Sequence, residues 1–192
     1  MKLKSICIIS VLLAFCLILG CATPPTDEMN NAIEAVTRAE NDADAVLYGS
    51  ISLDRARDTL RRMQTEANSK RYNIAKTLAG EAVAAADRAI AEGQAGSARA
   101  REEAAALLAG LRPMIAETGQ NLNSARSVGL LVDYTELDRE FDDACFKTDQ
   151  AEIALAEKQY QNAMEKGRSA RADLSDINQK LAGAAISVAR KK

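Results

Sequence analysis

Two pairs of adjacent acidic side chains could be proposed as paired carboxylates, which are groups that general acid–base chemistry uses. The pairs are Glu102-Glu103 and Asp142-Asp143. Arg99, Arg139 and Lys147 lie at the three- or four-residue spacing that pairs opposite charges on a helix. The chain has no His, which is the usual base at neutral pH and the commonest metal ligand. We therefore interpret both pairs as solvated helix faces, and expect no enzyme, no cofactor and no metal.

The N-terminal segment combines basic residues, an apolar run and a cysteine. Lys2 and Lys4 precede the run 8–19, which is shorter than the ~20 residues of a membrane span and is typical of a cleaved signal peptide. The run ends in Leu17-Ile18-Leu19-Gly20-Cys21. This ending resembles the lipobox of bacterial lipoproteins, with a branched aliphatic residue, a small residue and then the cysteine. The resemblance implies cleavage before Cys21, a diacylglycerol on its thiol and an acyl chain such as palmitate on the new amine.

The lipobox divides the N-terminal part of the chain into functional segments. We expect a signal peptide at 1–20, and a lipidated cysteine with its tether at 21–26. The tether residues 22–26 reach about 17 Å when extended, so the folded part would stand next to the bilayer. Ala22, where Asp would signal inner-membrane retention, favours the outer membrane of a bacterial cell envelope. The alternative is a soluble secreted protein cut nearby, in which Cys21 has no role.

The remaining cysteines limit the possible disulfides, and the charge distribution limits the kinds of partner that the chain is expected to bind. Cys7 and Cys16 lie in the predicted signal peptide, which leaves Cys145 as a lone thiol that closes no intrachain disulfide. The net charge of −2 gives no basic excess for nucleic acid. Residues 52–71 carry six basic and three acidic side chains, whereas 136–152 carry two basic and seven acidic ones. These segments could pair within the bundle or between molecules, or be ordinary solvated faces of unequal charge.

Composition and periodicity predict an all-α protein. The chain is 47% hydrophobic but only 4% aromatic, and its apolar residues recur three and four apart from Thr26 onward. A first helix is predicted from Met29 to Val46, and a second, capped by Ser52, carries an apolar stripe over 53–67. A polar corner at 68–71 follows.

One long helix is predicted from about 71 to 127, because the apolar stripe keeps its phase throughout. Pro113 would kink it, and Gly129 ends it. The alternative is two helices broken near Gly93. Residues 133–136 read as a capping box that opens the next helix.

The second half of the chain repeats the first at a constant offset of 88 residues. Residues 141–155 align on 53–67, and 160–177 align on 72–89, with Tyr160 falling on Tyr72. We therefore expect an elongated antiparallel bundle of long Ala-rich helices with two helical-hairpin repeats. It would form a single domain over 27–192, with repeat units at about 27–112 and 115–192.

The first hairpin carries a further resemblance. Its spacing is Leu53-x2-Ala56-x3-Leu60, a polar corner, then Tyr72-x2-Ala75 followed by further alanines. Over roughly residues 22–92 this resembles a bacterial lipoprotein domain of unassigned function, a helical hairpin behind a lipobox. Such domains often precede an OmpA-like module that binds peptidoglycan. No strand-rich module of that kind follows in this sequence.

These features lead to a functional expectation of a lipid-anchored envelope lipoprotein with a scaffolding or protein-interaction role. Its expected partners are the membrane, through lipid on Cys21, and envelope proteins or further copies of itself. One alternative is a peptidoglycan tether through the C-terminal Lys192, as in the short helical lipoprotein of enteric bacteria. Cations in a last helical turn also offset the helix dipole, which explains Lys192 without any attachment. The other alternative is a helical lipoprotein that binds a small ligand.

Overall fold

The computed structural model describes residues 23–189, which form six α-helices and no strand. The predicted all-α bundle is confirmed. Two compact units divide between Gln94 and Ala95. In the described part of the chain, no helix is both long and apolar enough to cross a membrane. The helices are α1 (Thr26–Glu40), α2 (Ala43–Tyr48), α3 (Ser50–Asn68), α4 (Tyr72–Ser127), α5 (Tyr134–Ala156) and α6 (Tyr160–Ala189).

Unit 1 contains α1, α2, α3 and the first part of α4. α1 runs parallel to α4, since Glu28 pairs with Lys76 at 2.5 Å and Arg38 pairs with Asp87 at 3.1 Å farther along both helices. α3 runs in the opposite direction, because the turn at 69–71 reverses the chain between α3 and α4. Apart from the short α2, unit 1 is therefore an arrangement of three helices, in which α1 is the parallel neighbour of α4 and α3 is its antiparallel neighbour.

The core of unit 1 is built mainly from alanines at helical spacing. Because alanine side chains are small, the helix backbones approach closely. One such close approach is at Gly93, where an added Cβ would lie 2.5 Å from the backbone nitrogen of Ala45. Gly93 thus serves close packing, and α4 is continuous through it, so the alternative of a break there is wrong. The fully buried alanines are Ala32, Ala39, Ala45, Ala56, Ala75, Ala82, Ala86 and Ala89.

Two details of unit 1 differ from the predicted helices. The first helix is interrupted after Glu40, because the Asp42 carboxylate accepts the Ala45 N–H at 2.8 Å and starts α2. Ser52 does not cap a helix, since α3 already begins at Ser50. Ser52 is instead buried, and its hydroxyl donates to the Glu92 carboxylate at 2.6 Å.

Unit 2 contains the rest of α4 with α5 and α6. α5 is antiparallel to α4: Arg112 pairs with Glu152 at 2.7 Å, and Arg126 pairs with Asp138. The predicted continuous helix to residue 127 and its end near Gly129, which has φ +69°, are confirmed. The division between the two compact units lies nearer the N-terminus than the division expected between repeat units at about 27–112 and 115–192. The reason is that α4 contributes its first part to unit 1 and its second part to unit 2.

The third helix of unit 2 is fixed by a polar contact inside an apolar core. The Asn178 amide donates to the buried Thr118 hydroxyl at 2.7 Å. α6 runs parallel to α4, since Gly167 lies against Leu107 and Asn178 bonds Thr118 farther along both helices. Larger side chains replace alanines in this core, with Leu111, Leu174 and Ile177 fully buried. Unit 2 therefore repeats the arrangement of unit 1, with one parallel and one antiparallel helix beside α4.

The corner between the hairpin helices recurs 88 residues later with the same backbone geometry. Lys70 and Lys158 both have positive φ, at 59° and 63°. The residue after each lysine donates its N–H to the carbonyl five residues back, at 2.9 and 2.8 Å. Tyr72 and Tyr160 then open the next helices. The two predicted helical hairpins are thus present, and their corners are equivalent.

Candidate interaction surfaces

The two predicted acid pairs lie on exposed helix faces, Glu102-Glu103 on α4 and Asp142-Asp143 on α5. Lys147 bonds Asp173 of α6 at 2.6 Å, so it joins two helices of unit 2. Across residues 23–189, no three His, Cys, Asp or Glu side chains are grouped so that they could hold a metal ion. Both acid pairs are therefore exposed to solvent, as ordinary surface charges are.

Cys145 is a free, half-buried thiol on α5. Burial raises its pKa, and the negative charges of Asp142 and Asp149 raise the pKa further. Because the thiolate is the nucleophile, a raised pKa leaves Cys145 mostly protonated and unreactive at neutral pH. The local environment thus favours a packing role for this side chain.

The outer face of α5 carries large apolar side chains among acids. Phe146 is 64% exposed, and Ile153, two helical turns farther on, is 50% exposed. Asp142 and Asp149 lie on the same side of the helix at helical spacing. An exposed aromatic ring with an aliphatic neighbour is a feature of protein contact surfaces, although single exposed apolar residues are common.

The charge contrast between α3 and α5 is partly neutralised inside each unit. On α5, Glu152, Asp138 and Glu140 pair with Arg112, Arg126 and Lys180 respectively, all within unit 2. The hydrogen bonds that the Lys180 ammonium donates to the Glu140 and Asp176 carboxylates raise the pKa of Lys180. On α3, Arg57 and Arg61 pair with acids of unit 1. The acidic excess of α5 is therefore partly offset within unit 2, whereas the Arg61–Asp58 pair lies inside α3 and leaves the basic excess of that segment unchanged.

An apolar surface lies where α4 and α6 end. Val128 is 76% exposed and Leu131 is 89% exposed in the loop after α4. Ile186 is exposed near the end of α6, and a groove between these helices includes Leu181 and Ala185. We call the groove residues Val128, Leu181 and Ala185, together with the exposed Leu131 and Ile186 close to them in sequence, the apolar end of unit 2. Exposed apolar patches on otherwise charged proteins mark interaction sites.

The start of α1 lies beside the first corner. The Pro24 carbonyl accepts the Thr26 N–H at 2.8 Å, and the Pro25 carbonyl accepts the Met29 N–H at 3.0 Å. A shallow pocket there is lined by residues 23–28 together with Tyr72, Asn73 and Lys76. We call this region, residues 23–28 with 68–76, the tether end of unit 1. Tyr72 lines its pocket and is half-buried, as is Tyr160 in unit 2.

Two predicted site residues lie outside the described residues, and the sequence pattern did not predict one exposed surface. Cys21, the predicted lipidation site, precedes residue 23, and Lys192 follows residue 189. The apolar end was missed because Leu131 follows Gly129 in a loop, where no helical stripe marks it. The signal available was the run of apolar residues 128–132.

Residues 27–106 match the family model described as a domain of unknown function (DUF4398). The match covers α1, α2 and α3 and continues into α4, so it contains the whole three-helix arrangement of unit 1. It agrees with the expected resemblance to a helical domain of unassigned function. No curated protein and no solved structure matches the chain.

Proposed function

We propose that this protein is a lipoprotein of the bacterial envelope, held at a membrane by lipid on Cys21. The Leu17–Cys21 sequence supports the proposal, because its residue types are those of a lipobox. The fold is compatible with such an anchor, since α1 begins at Thr26, five residues after the cysteine. Three acyl chains would hold the protein far more firmly than one.

We further propose that the anchored protein acts as a scaffold and binds envelope proteins through the apolar end of unit 2. The observation that carries this proposal is the exposure of Val128, at 76%, at the groove between α4 and α6, with Leu131 exposed at 89% in the loop that follows. Burying such side chains against a partner contributes about 25 cal/mol per Å² of apolar area removed from water. Apolar side chains are also exposed elsewhere, such as Ile51 on α3 and Phe146 on α5, but at this end they adjoin a groove lined mainly by apolar residues.

Site-specific crosslinking in intact cells tests the scaffold. A photoreactive amino acid is placed at Leu131, and in a matched variant at Leu47, a second exposed leucine, on α2. Position 131 should give the same crosslinked envelope protein in repeated experiments, as identified by mass spectrometry, while position 47 should not. Crosslinks of equal yield at both positions, or none at 131, would contradict a role for the apolar end.

A second candidate function is a peptidoglycan tether through Lys192. The observation favouring it is that residues 185–188, in the last turns of α6, are exposed. Cell walls boiled in detergent should then retain protein until muramidase is added, and deletion of Lys191 and Lys192 should release it. If detergent alone releases all of the protein, the wall tether is wrong.

A further inference from the structure

The connection between the lipidation site and the folded unit is shorter than the tether expected from the sequence. Pro24 and Pro25 are already fixed to the first turn of α1 by hydrogen bonds from Thr26 and Met29. Only Ala22 and Thr23 remain between Cys21 and Pro24. Even fully extended, three residue steps of ~3.3 Å reach about 10 Å. The anchor therefore constrains which part of unit 1 can face the membrane.

The parallel packing of α1 and α4 brings the first corner to the same end as the tether. Glu28, in the first turn of α1, bonds Lys76, in the first turns of α4. Asn73 lines the pocket that also contains Pro24 and Pro25. Asn41, just after α1, lies 17 residues from Pro24, which is about 25 Å along the helix. The two ends of unit 1 are thus far apart compared with the reach of the tether.

The side chains at the tether end suit a lipid headgroup layer. Lys70 is exposed at the corner, and Asn68 and Asn73 offer polar groups beside it. Ile74, in the first turn of α4, is 50% exposed. Cations are attracted to anionic lipid headgroups, and exposed aliphatic side chains can be buried at the boundary between headgroups and acyl chains, so these residues are suited to contact with a membrane surface.

We infer that the tether end of unit 1 faces the lipid headgroups of the membrane that holds the anchor, with Lys70, Asn73 and Ile74 at the contact. This inference rests on the proposed lipidation of Cys21. It adds an orientation: the corner between α3 and α4 lies against the bilayer, and Asn41 and α2 point away from it.

Fluorescence quenching by a headgroup spin-labelled lipid tests the orientation. The full protein is purified from membranes with Cys145→Ser, and a single thiol for the fluorophore is introduced by Asn73→Cys or, as the matched control, by Asn41→Cys. Both asparagines are exposed, so both labels start in water. In vesicles of phosphatidylethanolamine and phosphatidylglycerol, the label at position 73 should lose most of its fluorescence, and the label at 41 should lose none. Asn68→Cys gives a second position at the tether end, where the same loss is expected.

Mass spectrometry of the purified protein separates the two ways in which the inference can fail. A protein without lipid mass on Cys21 overturns both the proposed anchor and the orientation. A lipidated, vesicle-bound protein whose label is quenched at 41 rather than at 73, or at neither position, overturns the orientation alone. Circular dichroism confirms that each labelled variant keeps its helices.

Discussion

Individual residues explain why helices with uniform, alanine-rich faces pack in one specific arrangement. Gly93 allows the α2 backbone to lie against α4, and in unit 2 the Thr118–Asn178 hydrogen bond sets the register of α6. A buried hydroxyl that loses its partner is costly, so Thr118 favours the register that satisfies it. A small number of specific residues thus determines how neighbouring helices are aligned along each other, which a uniform row of alanines cannot do.

Gly93→Ala should destabilise unit 1, whereas Gly80→Ala should stabilise it. The added Cβ at 93 would meet the Ala45 backbone at 2.5 Å, and overpacking of this kind costs about 1–3 kcal/mol. At Gly80, in the same helix, the new Cβ meets nothing within 4 Å, and the gain in helix propensity is about 1 kcal/mol. Urea unfolding of the chain from Ala22 onward measures both. Equal tolerance of the two substitutions would contradict the close approach of α2.

Cys145 should react slowly with iodoacetamide near neutral pH, and its rate should rise only as the pH passes above the ordinary range for a thiol. Burial raises its pKa first, and Asp142 and Asp149 add to the effect, so less thiolate is present. Asp142→Asn and Asp149→Asn should each shift the pH–rate curve to lower pH. Asp143→Asn is the control, because Asp143 is exposed and close by but is not among the groups that raise the pKa of Cys145. An identical shift for Asp143→Asn would contradict this account.

At the scale of helices, local patterns predicted most boundaries, and tertiary packing accounts for the exceptions. The phase of the apolar stripe predicted α4 as one helix, and the 133–136 pattern predicted the cap of α5, where Asp133 accepts the Thr135 and Glu136 N–H groups. The break at Asp42 was missed, because an aspartate can sit within a helix or cap one, and only its contact with Ala45 decides. The role of Ser52 depends on Glu92, 40 residues away in sequence.

The repeated corner makes a prediction for both hairpins. Lys70 and Lys158 occupy the left-handed region, which costs a non-glycine residue about 1–2 kcal/mol. Lys70→Gly and Lys158→Gly should therefore raise the free energy of unfolding by about 1 kcal/mol relative to Lys70→Ala and Lys158→Ala, which remove the same side chain without relieving φ. Thermal unfolding monitored by circular dichroism compares the pairs. If glycine and alanine behave alike at both positions, the corners do not have this geometry in solution.

At the scale of the whole molecule, sequence and structure inform different parts of the account. Residues 1–21 predict the cellular location of the protein through the order of their residue types alone, and they lie outside the described range 23–189. The fold was predictable because alanine and leucine recur with one period throughout. The apolar end of unit 2 was not, because the apolar run after Gly129 does not show that Leu130 and Val132 pack against the core while Leu131 is exposed. Location is thus argued from the N-terminal sequence, and the contact surfaces from the fold.

Metabolic labelling with an alkyne analogue of palmitate tests the lipid anchor most directly. Cells that express the wild-type chain, Cys21→Ser or Cys145→Ser are labelled, and the purified proteins are examined for the alkyne. The wild type and Cys145→Ser should both carry label and sediment with membranes, because Cys145 is a half-buried thiol of low reactivity. Cys21→Ser should carry none. An unlabelled wild-type protein that remains in the soluble fraction would contradict the account.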